Sequence, residues 1–494
     1  MLLSSLLGSL PKALRPHVLS GRAEAVRVVR VTDRTQDVLP GDVFVAIAGA
    51  RFDGHDHLPE GAAAVIVERE VAAPPGVVIV RVASTVQALG PLCAAVEGHP
   101  AESMIVVGVT GTNGKTSVTH LVAHLARAAG WSAGVIGTTG HMLDGETLGD
   151  SGRTGGAEHG HTTPTAPQLQ RLFATFRDRG ARLVAMEVSS IGLAAHRVDG
   201  TTFSAAAYTN LTRDHLDYHG TMEAYGESKA RLFADLLRPG ATAVLNADLG
   251  ACPVPGAVRQ SFRVGPDRGS ATWNAAILSA TARGMSLRIV DPTQAEHLAQ
   301  TSLVGDHNAE NVLCAWALAH AVGIDTLSIL AGIASFPGVP GRLERVENAR
   351  GIAAFVDYAH TDDALKRVLA VLRPLTAGRL LLVFGCGGDR DAGKRVPMGI
   401  AARAADLVYL TSDNPRSEDP LAILAAILPG LGDRATVVEP DRAAAIRAAV
   451  GACRPGDTLL IAGKGHERTQ TIGDSQLPFD DREVCRTALA EAQP

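Results

Sequence analysis

The sequence predicts an α/β protein of three domains: a small α/β head, a central parallel-sheet domain and a Rossmann-like C-terminal domain. Three observations carry that prediction. At 494 residues the chain exceeds what one hydrophobic core serves. From Met104 onward, short β-branched or aliphatic runs alternate with helical stretches, the grammar of parallel sheets covered by helices. The cluster Pro337-Gly338-Val339-Pro340-Gly341 then divides that alternation in two and marks a hinge. The expected domains are residues 1–100, 101–337 and 338–494.

In chain order, Leu2, Leu3, Leu6, Leu7 and Leu10 recur at helical spacing, with no basic residue before them and Pro11 after. This predicts a short packing helix and not a signal peptide. Strands follow at 42–47 and 64–67, separated by turns such as Pro40-Gly41 and Asp53-Gly54. Ile105-Val106-Val107 then leads through a glycine-rich turn into a helix with Val118, Leu121, Val122 and Leu125 on one face. Further strands are expected at 183–188, 205–208 and 243–245, and beyond the hinge at 352–356, 380–384, 407–410 and 459–462. In such sheets ligands gather at the carboxyl ends of the strands.

Composition narrows the class. Hydrophobic residues make up 46% and charged residues 20%, as in globular proteins, and a net charge of -5 argues against a nucleic-acid binder. No apolar run is long enough to span a bilayer. The six cysteines are far apart and form no CxxC, which fits a reducing, cytoplasmic setting and neither a disulfide framework nor a zinc site.

The strand 105–107 runs into Gly111-Thr112-Asn113-Gly114-Lys115-Thr116-Ser117. Glycines let backbone N–H groups turn around phosphate oxygens, and the helix N-terminus adds its dipole. Lys115 is expected on the β/γ-phosphates of ATP and the Thr116 hydroxyl on Mg²⁺. The strict phosphate-loop pattern is broken only at Val109. Such a loop names a nucleotide and not a reaction.

Glu187 ends an apolar strand, a suitable place for a hard Mg²⁺ ligand. The polar stretch 209–219 contains His215 and His219, four apart, but Leu216 stands where a zinc protease needs its glutamate. One of the two histidines is expected near a divalent ion. Lys229 falls on the apolar stripe Met222, Tyr225, Leu232 and Leu236 of a helix expected over 222–237. A lysine there either snorkels to water or stays buried as a reactive amine, and the residues alone leave both open.

Together these residues resemble the Mur ligase family, the ATP-dependent amino-acid ligases of cell-wall synthesis. The matching motifs include Gly111 to Ser117, Thr162-Thr163-Pro164, Glu187-Val188-Ser189-Ser190, 209–219, 225–233 and Asn246-Ala247-Asp248. They continue with 305–311, Gly341-Arg342-Leu343-Glu344, Asp357-Tyr358-Ala359-His360 and Gly463-Lys464-Gly465-His466-Glu467, in family order over nearly the whole chain. The resemblance implies activation of a carboxylate by ATP to an acyl phosphate, followed by attack of an amine. It also implies two Mg²⁺ ions, with Thr116, Glu187, His215 and a carbamylated Lys229 as ligands, and Arg342 and Asp357 near the nucleotide.

Further family contacts fall on Thr162, Thr163, Ser189 and Arg197, and in the head on Thr35 and Ala50-Arg51-Phe52, for a UDP-muramoyl substrate. Arg390, Asp413, Asn414, Pro415, Arg416, Gly463 and Glu467 match contacts to the incoming amino acid. The motif Asp413-Asn414-Pro415-Arg416 is the form that goes with meso-diaminopimelate, whose far carboxylate a guanidinium fork pairs bidentately. Lysine lacks that carboxylate and would leave Arg416 unpaired. The expected reaction therefore joins meso-diaminopimelate to the D-glutamyl carboxylate of UDP-N-acetylmuramoyl-L-alanyl-D-glutamate, in a cytoplasmic monomer without nucleic-acid or membrane partners. Departures from the family pattern are Asp33-Arg34-Thr35-Gln36 in the head, Ile191, Ala195 and Asp362.

Overall fold

The computed structural model describes residues 1–49, 52–72, 74–148, 161–250, 252–265 and 271–491. Contacts divide the chain into two compact units. One comprises Met1–Arg263, Ser270–Trp273 and Cys314–Gly332; the other comprises Val264–Gly269, Asn274–Leu313 and Ile333–Pro494. Each is taken by itself.

The first unit begins with helix Leu3–Gly8, on which Leu3, Leu6 and Leu7 are buried. The leucine spacing thus builds a packing helix, whose apolar stripe joins the core beneath the head sheet. That sheet has five strands in the order His17–Ser20, Val78–Arg81, Ala64–Val67, Asp42–Val45 and Arg30–Thr32, parallel except for the first. The strand expected over 42–47 stops at Val45.

Six neighbouring strands of the sheet that carries the glycine-rich turn, Val258–Val264, Leu237–Asn246, Phe203–Tyr208, Ile105–Thr110, Leu183–Glu187 and Ala133–Gly137, are parallel to one another, and an antiparallel strand, Gly140–Leu143, follows the last. The four strands from Phe203–Tyr208 to Ala133–Gly137 are mostly small or apolar and almost wholly buried, as in a sheet covered on both faces. Ile105–Thr110 is central, so its carboxyl end opens between two neighbours, where loops from both can converge. The helix expected over 222–237 ends at Ala234, and Leu237 already opens the next strand.

The second unit holds a six-stranded sheet in the order Glu344–Val346, Ala353–Asp357, Thr458–Ala462, Leu380–Phe384, Leu407–Leu410 and Thr436–Val438. Only the first strand is antiparallel. Two cores flank it, one around Leu382, Met398 and Ile427 and one around Val383, Ile446 and Cys485. The same unit contains an antiparallel meander with Gly284–Val290 and Glu296–Thr301, which the sequence reading did not anticipate. Its alternating polar residues carry a weak period-two signal that the surrounding helical pattern obscures. Among the described residues no helix is long and apolar enough to cross a membrane.

Candidate active site

The strand Ile105–Thr110 delivers a loop that turns directly into helix Lys115–Ala128. Gly111 and Gly114 have φ of 143° and 84°. A β-carbon on Gly111 would also collide with the Thr209 hydroxyl, so only glycine lets the two loops pass. The loop after Phe203–Tyr208 braces this turn. Thr112 N donates to Asn210 O and Asn113 N to Asn210 Oδ1, both at 2.9 Å, while Thr209 Oγ1 donates to Asn113 O at 2.6 Å. Lys115 Nζ folds back to donate to Gly111 O and Thr112 O, each at 2.9 Å. Thr116 and Ser117 stand on the first helical turn, partly buried.

Lys229 is buried and does not snorkel, with a relative exposure of 1%. Its Nζ donates to Gly111 O at 3.0 Å and lies 4.5 Å from the centre of the Tyr225 ring. Burial, and then the charge of Lys115, push its pKa down to about 6, with Asp214 opposing. The fall from 10.5 to about 6 represents roughly 6 kcal/mol against the ammonium. A desolvated ring contact returns on the order of 2 kcal/mol, well short of that. Burial wins, and near neutral pH the amine is uncharged and nucleophilic.

Tyr225 is the hub of this corner. Its hydroxyl meets Thr112 Oγ1 at 3.2 Å, and its ring centre lies 6.1 Å from His215 and 5.2 Å from His219. His219 is tied to Ser190 Oγ at 3.0 Å, and burial lowers its pKa. His215, in left-handed backbone at φ 51°, keeps a half-exposed ring 3.7 Å from the Asp214 carboxylate.

Glu187 pairs in register with Val109, one strand over from the loop, and is buried. Thr138 donates to it twice, from N to Oε1 at 2.9 Å and from Oγ1 to Oε2 at 3.2 Å. Thr163 Oγ1 donates to Glu187 O at 3.0 Å and receives Ser189 N at 2.9 Å, and Arg197 Nη1 donates to Thr163 O at 3.1 Å. Thr162 meets the Thr138 hydroxyl at 3.5 Å. The fold thus gathers Thr162, Thr163, Ser189 and Arg197 beside Glu187. In the head, Thr35 opens a short turn with its buried hydroxyl unpartnered among the described residues. Phe52 is exposed and stacked on His57, 4.5 Å between ring centres. Ala50 and Arg51 lie outside the described residues.

In the second unit, loops after three adjacent parallel strands meet. Asn414 Nδ2 donates to Glu467 Oε2 at 2.9 Å, and the buried Lys464 Nζ donates to Asn414 Oδ1 at 2.9 Å and Glu467 Oε2 at 3.0 Å. Asp413 is buried, which raises its pKa, with Arg442 and Lys464 opposing. A β-carbon on Gly463, at φ 117°, would stand 2.5 Å from Asp413 Oδ2. Pro415 is buried, and Arg416 follows in left-handed backbone at φ 52°, with Nη1 donating to Gly388 O at 2.6 Å. Arg390 is exposed on the facing loop. Asp357 is buried and accepts from Leu343 N at 2.7 Å and Ala359 N at 2.8 Å, and Arg342 lies 5.3 Å from the Tyr358 ring centre.

Sequence reasoning passed over Tyr225, Asn210, Thr138 and Lys464 as site residues. Tyr225 and Lys464 had a signal, the four-residue spacing to Lys229 and the Gly-Lys-Gly-His-Glu motif. Thr138 had none, because only the strand order brings it to Glu187.

The Mur ligase middle domain matches residues 109–319, and the Mur ligase glutamate ligase domain matches 341–465. The UDP-N-acetylmuramoyl-L-alanyl-D-glutamate--2,6-diaminopimelate ligase of Streptomyces coelicolor is 41% identical over 490 residues, 95% of this chain and 94% of that one. The protein of the same name from Synechococcus elongatus is 42% identical and covers 100% of both chains. A solved structure of a protein so named superposes with a TM-score of 0.69 at 30% identity, over 96% of each chain. With its phosphate loop, buried lysine and matching loops in both units, the chain belongs to the Mur ligase family of ATP-dependent, amide-forming ligases.

Proposed function

We propose that this chain joins meso-diaminopimelate to the D-glutamyl carboxylate of UDP-N-acetylmuramoyl-L-alanyl-D-glutamate. The observation that carries the reading is Arg416, in left-handed backbone and with its guanidinium anchored on Gly388 O, beside Asn414 and Glu467 at the carboxyl edge of one sheet. A guanidinium fixed there suits the second carboxylate of diaminopimelate, and Glu467 and Asp413 suit its ammonium groups. Six free, buried cysteines support a reducing compartment, the cytoplasm.

A carboxylate is a poor acyl donor until one of its oxygens becomes a phosphate leaving group. In the proposed sequence that oxygen attacks the γ-phosphorus of ATP and ADP departs. The amine then attacks the acyl carbon, loses a proton and expels phosphate. Lys115 and the N-terminus of its helix hold the polyphosphate, while Thr163, Ser189 and Arg197 orient the muramoyl peptide. In the head, Thr35 and Phe52 hold the uridine nucleotide.

The donor set also fits Mg²⁺. Among the described residues no three His, Cys, Asp or Glu side chains converge. A lone buried carboxylate, Glu187, beside a phosphate loop is what a cation that keeps waters and substrate phosphates requires. Glu187, Thr116, His215 and a carbamylated Lys229 would hold it, and bound metal would neutralise crowded phosphate charge. The neutral amine of Lys229 is competent to take up CO₂.

The deciding assay measures ADP release with the UDP-muramoyl dipeptide and each candidate amino acid. Turnover with meso-diaminopimelate and little with lysine is expected; equal turnover with lysine would remove Arg416 from its role.

A further inference from the structure

Behind the amino-acid loops lies a buried ion pair that none of the roles above uses. Arg442 opens helix Arg442–Ala452 and Asp481 opens helix Asp481–Glu491, and both side chains are 0% exposed. The pair is bidentate, with Nε on Oδ1 and Nη2 on Oδ2, both at 2.7 Å. The remaining donors reach two carbonyls, Nη1 to Ser412 O at 3.3 Å and Nη2 to Ala462 O at 3.0 Å. Ser412 and Ala462 immediately precede Asp413 and Gly463. One guanidinium therefore ties the roots of two loops that leave different strands.

Stability alone does not call for this arrangement, because burying two charges roughly cancels their attraction and an apolar pair would serve as well. What an apolar pair lacks is direction and charge. The charged and titratable groups facing Asp413 are Arg442 and Lys464, which favour its anion, and Glu467 and Asp481, which oppose it. Its field also reaches Cys386 and Tyr358.

We infer that Arg442, held by Asp481, is a positioning residue for the incoming amino acid: it locks both loop roots and so keeps the Asp413 carboxylate aimed to receive the substrate's ammonium. The inference rests on the amino-acid role proposed for Asp413.

Arg442→Gln, Arg442→Lys and Asp481→Asn in the full chain test it. KM for diaminopimelate is expected to rise about tenfold in each, because fixed donors or acceptors are lost, with KM for ATP and for the muramoyl dipeptide nearly unchanged. The acid limb of kcat/KM for the amino acid should move up in Arg442→Gln, which loses a cation, and down in Asp481→Asn, which loses an anion. Arg442→Lys keeps the charge and should leave the limb in place. Both limbs moving the same way, or all three KM values rising together, would make the pair a general strut and overturn the inference. If Arg442→Gln loses its cooperative melt, the other two variants carry the same readouts. A wild-type chain inert with every amino acid overturns the ligase reading itself; an unchanged amino-acid KM in active variants overturns this inference alone.

Discussion

Lys115 and Lys229, on different helices, donate to the same carbonyl oxygen, that of Gly111, at 2.9 and 3.0 Å. Two amines on one acceptor cannot both keep a proton cheaply when one is buried. Lys229, the buried partner, gives way.

If Lys229 carries the proposed carbamate, Lys229→Ala removes an anionic metal ligand and should lower kcat by about two orders of magnitude or more. Short carboxylates added to the assay should restore part of it. Full activity in the variant would refute the role as a metal ligand.

The same amine makes stability depend on pH. Its folded pKa of about 6 lies below the ordinary 10.5, so between those values the unfolded chain holds a proton that the native chain has released. The stability lost at this site grows as pH falls from 10.5 to about 6 and is constant below. In metal-free, CO₂-depleted buffer, Lys229→Met should raise the melting temperature more at pH ~6 than at pH ~9. Equal gains at both would mean the lysine keeps its proton.

Gly111→Ala should abolish tight nucleotide binding while leaving the sheets folded. The new methyl meets the Thr209 hydroxyl at a backbone angle that strains any side chain, at a cost of about 1–3 kcal/mol. Calorimetry with ADP, paired with a thermal melt, separates the two effects; wild-type affinity would show that the loop yields.

Arg416→Ala should lower kcat/KM for meso-diaminopimelate by about two orders of magnitude, since a desolvated carboxylate loses its partner. The residual rate with lysine should hardly change. A parallel fall for both amino acids would assign Arg416 to loop structure.

Glu187→Gln keeps the shape and the bond from Thr138 N, and the Thr138 hydroxyl turns to accept from the new amide nitrogen, but the charge is removed. The Mg²⁺ concentration for half-maximal rate should rise about tenfold or more at unchanged melting temperature, because Mg²⁺ prefers carboxylate to amide oxygen. An unaltered Mg²⁺ titration would take Glu187 out of the metal site.

Much of the fold was legible locally. Strands Leu380–Phe384 and Leu407–Leu410 coincide with their apolar runs, because a strand buried on both faces must be apolar throughout. The antiparallel strands Gly284–Val290 and Glu296–Thr301 were not legible, because each presents polar residues to one side and their pairing is a matter of register.

The sequence by itself determined the family and the glycine-rich turn at Gly111 to Ser117, because both are written in residues adjacent along the chain, as is the motif from which the role of Arg416 is proposed. Whether Lys229 reaches water or stays inside was decided by tertiary structure. The order of parallel strands carries its helix over the loop and sets its Nζ on a carbonyl 118 residues away. The Arg442–Asp481 pair is of the same kind, since burial between two loop roots follows from sheet order and packing. Local patterns specify elements; contacts between distant residues exist only once the sheet has set which ends lie side by side.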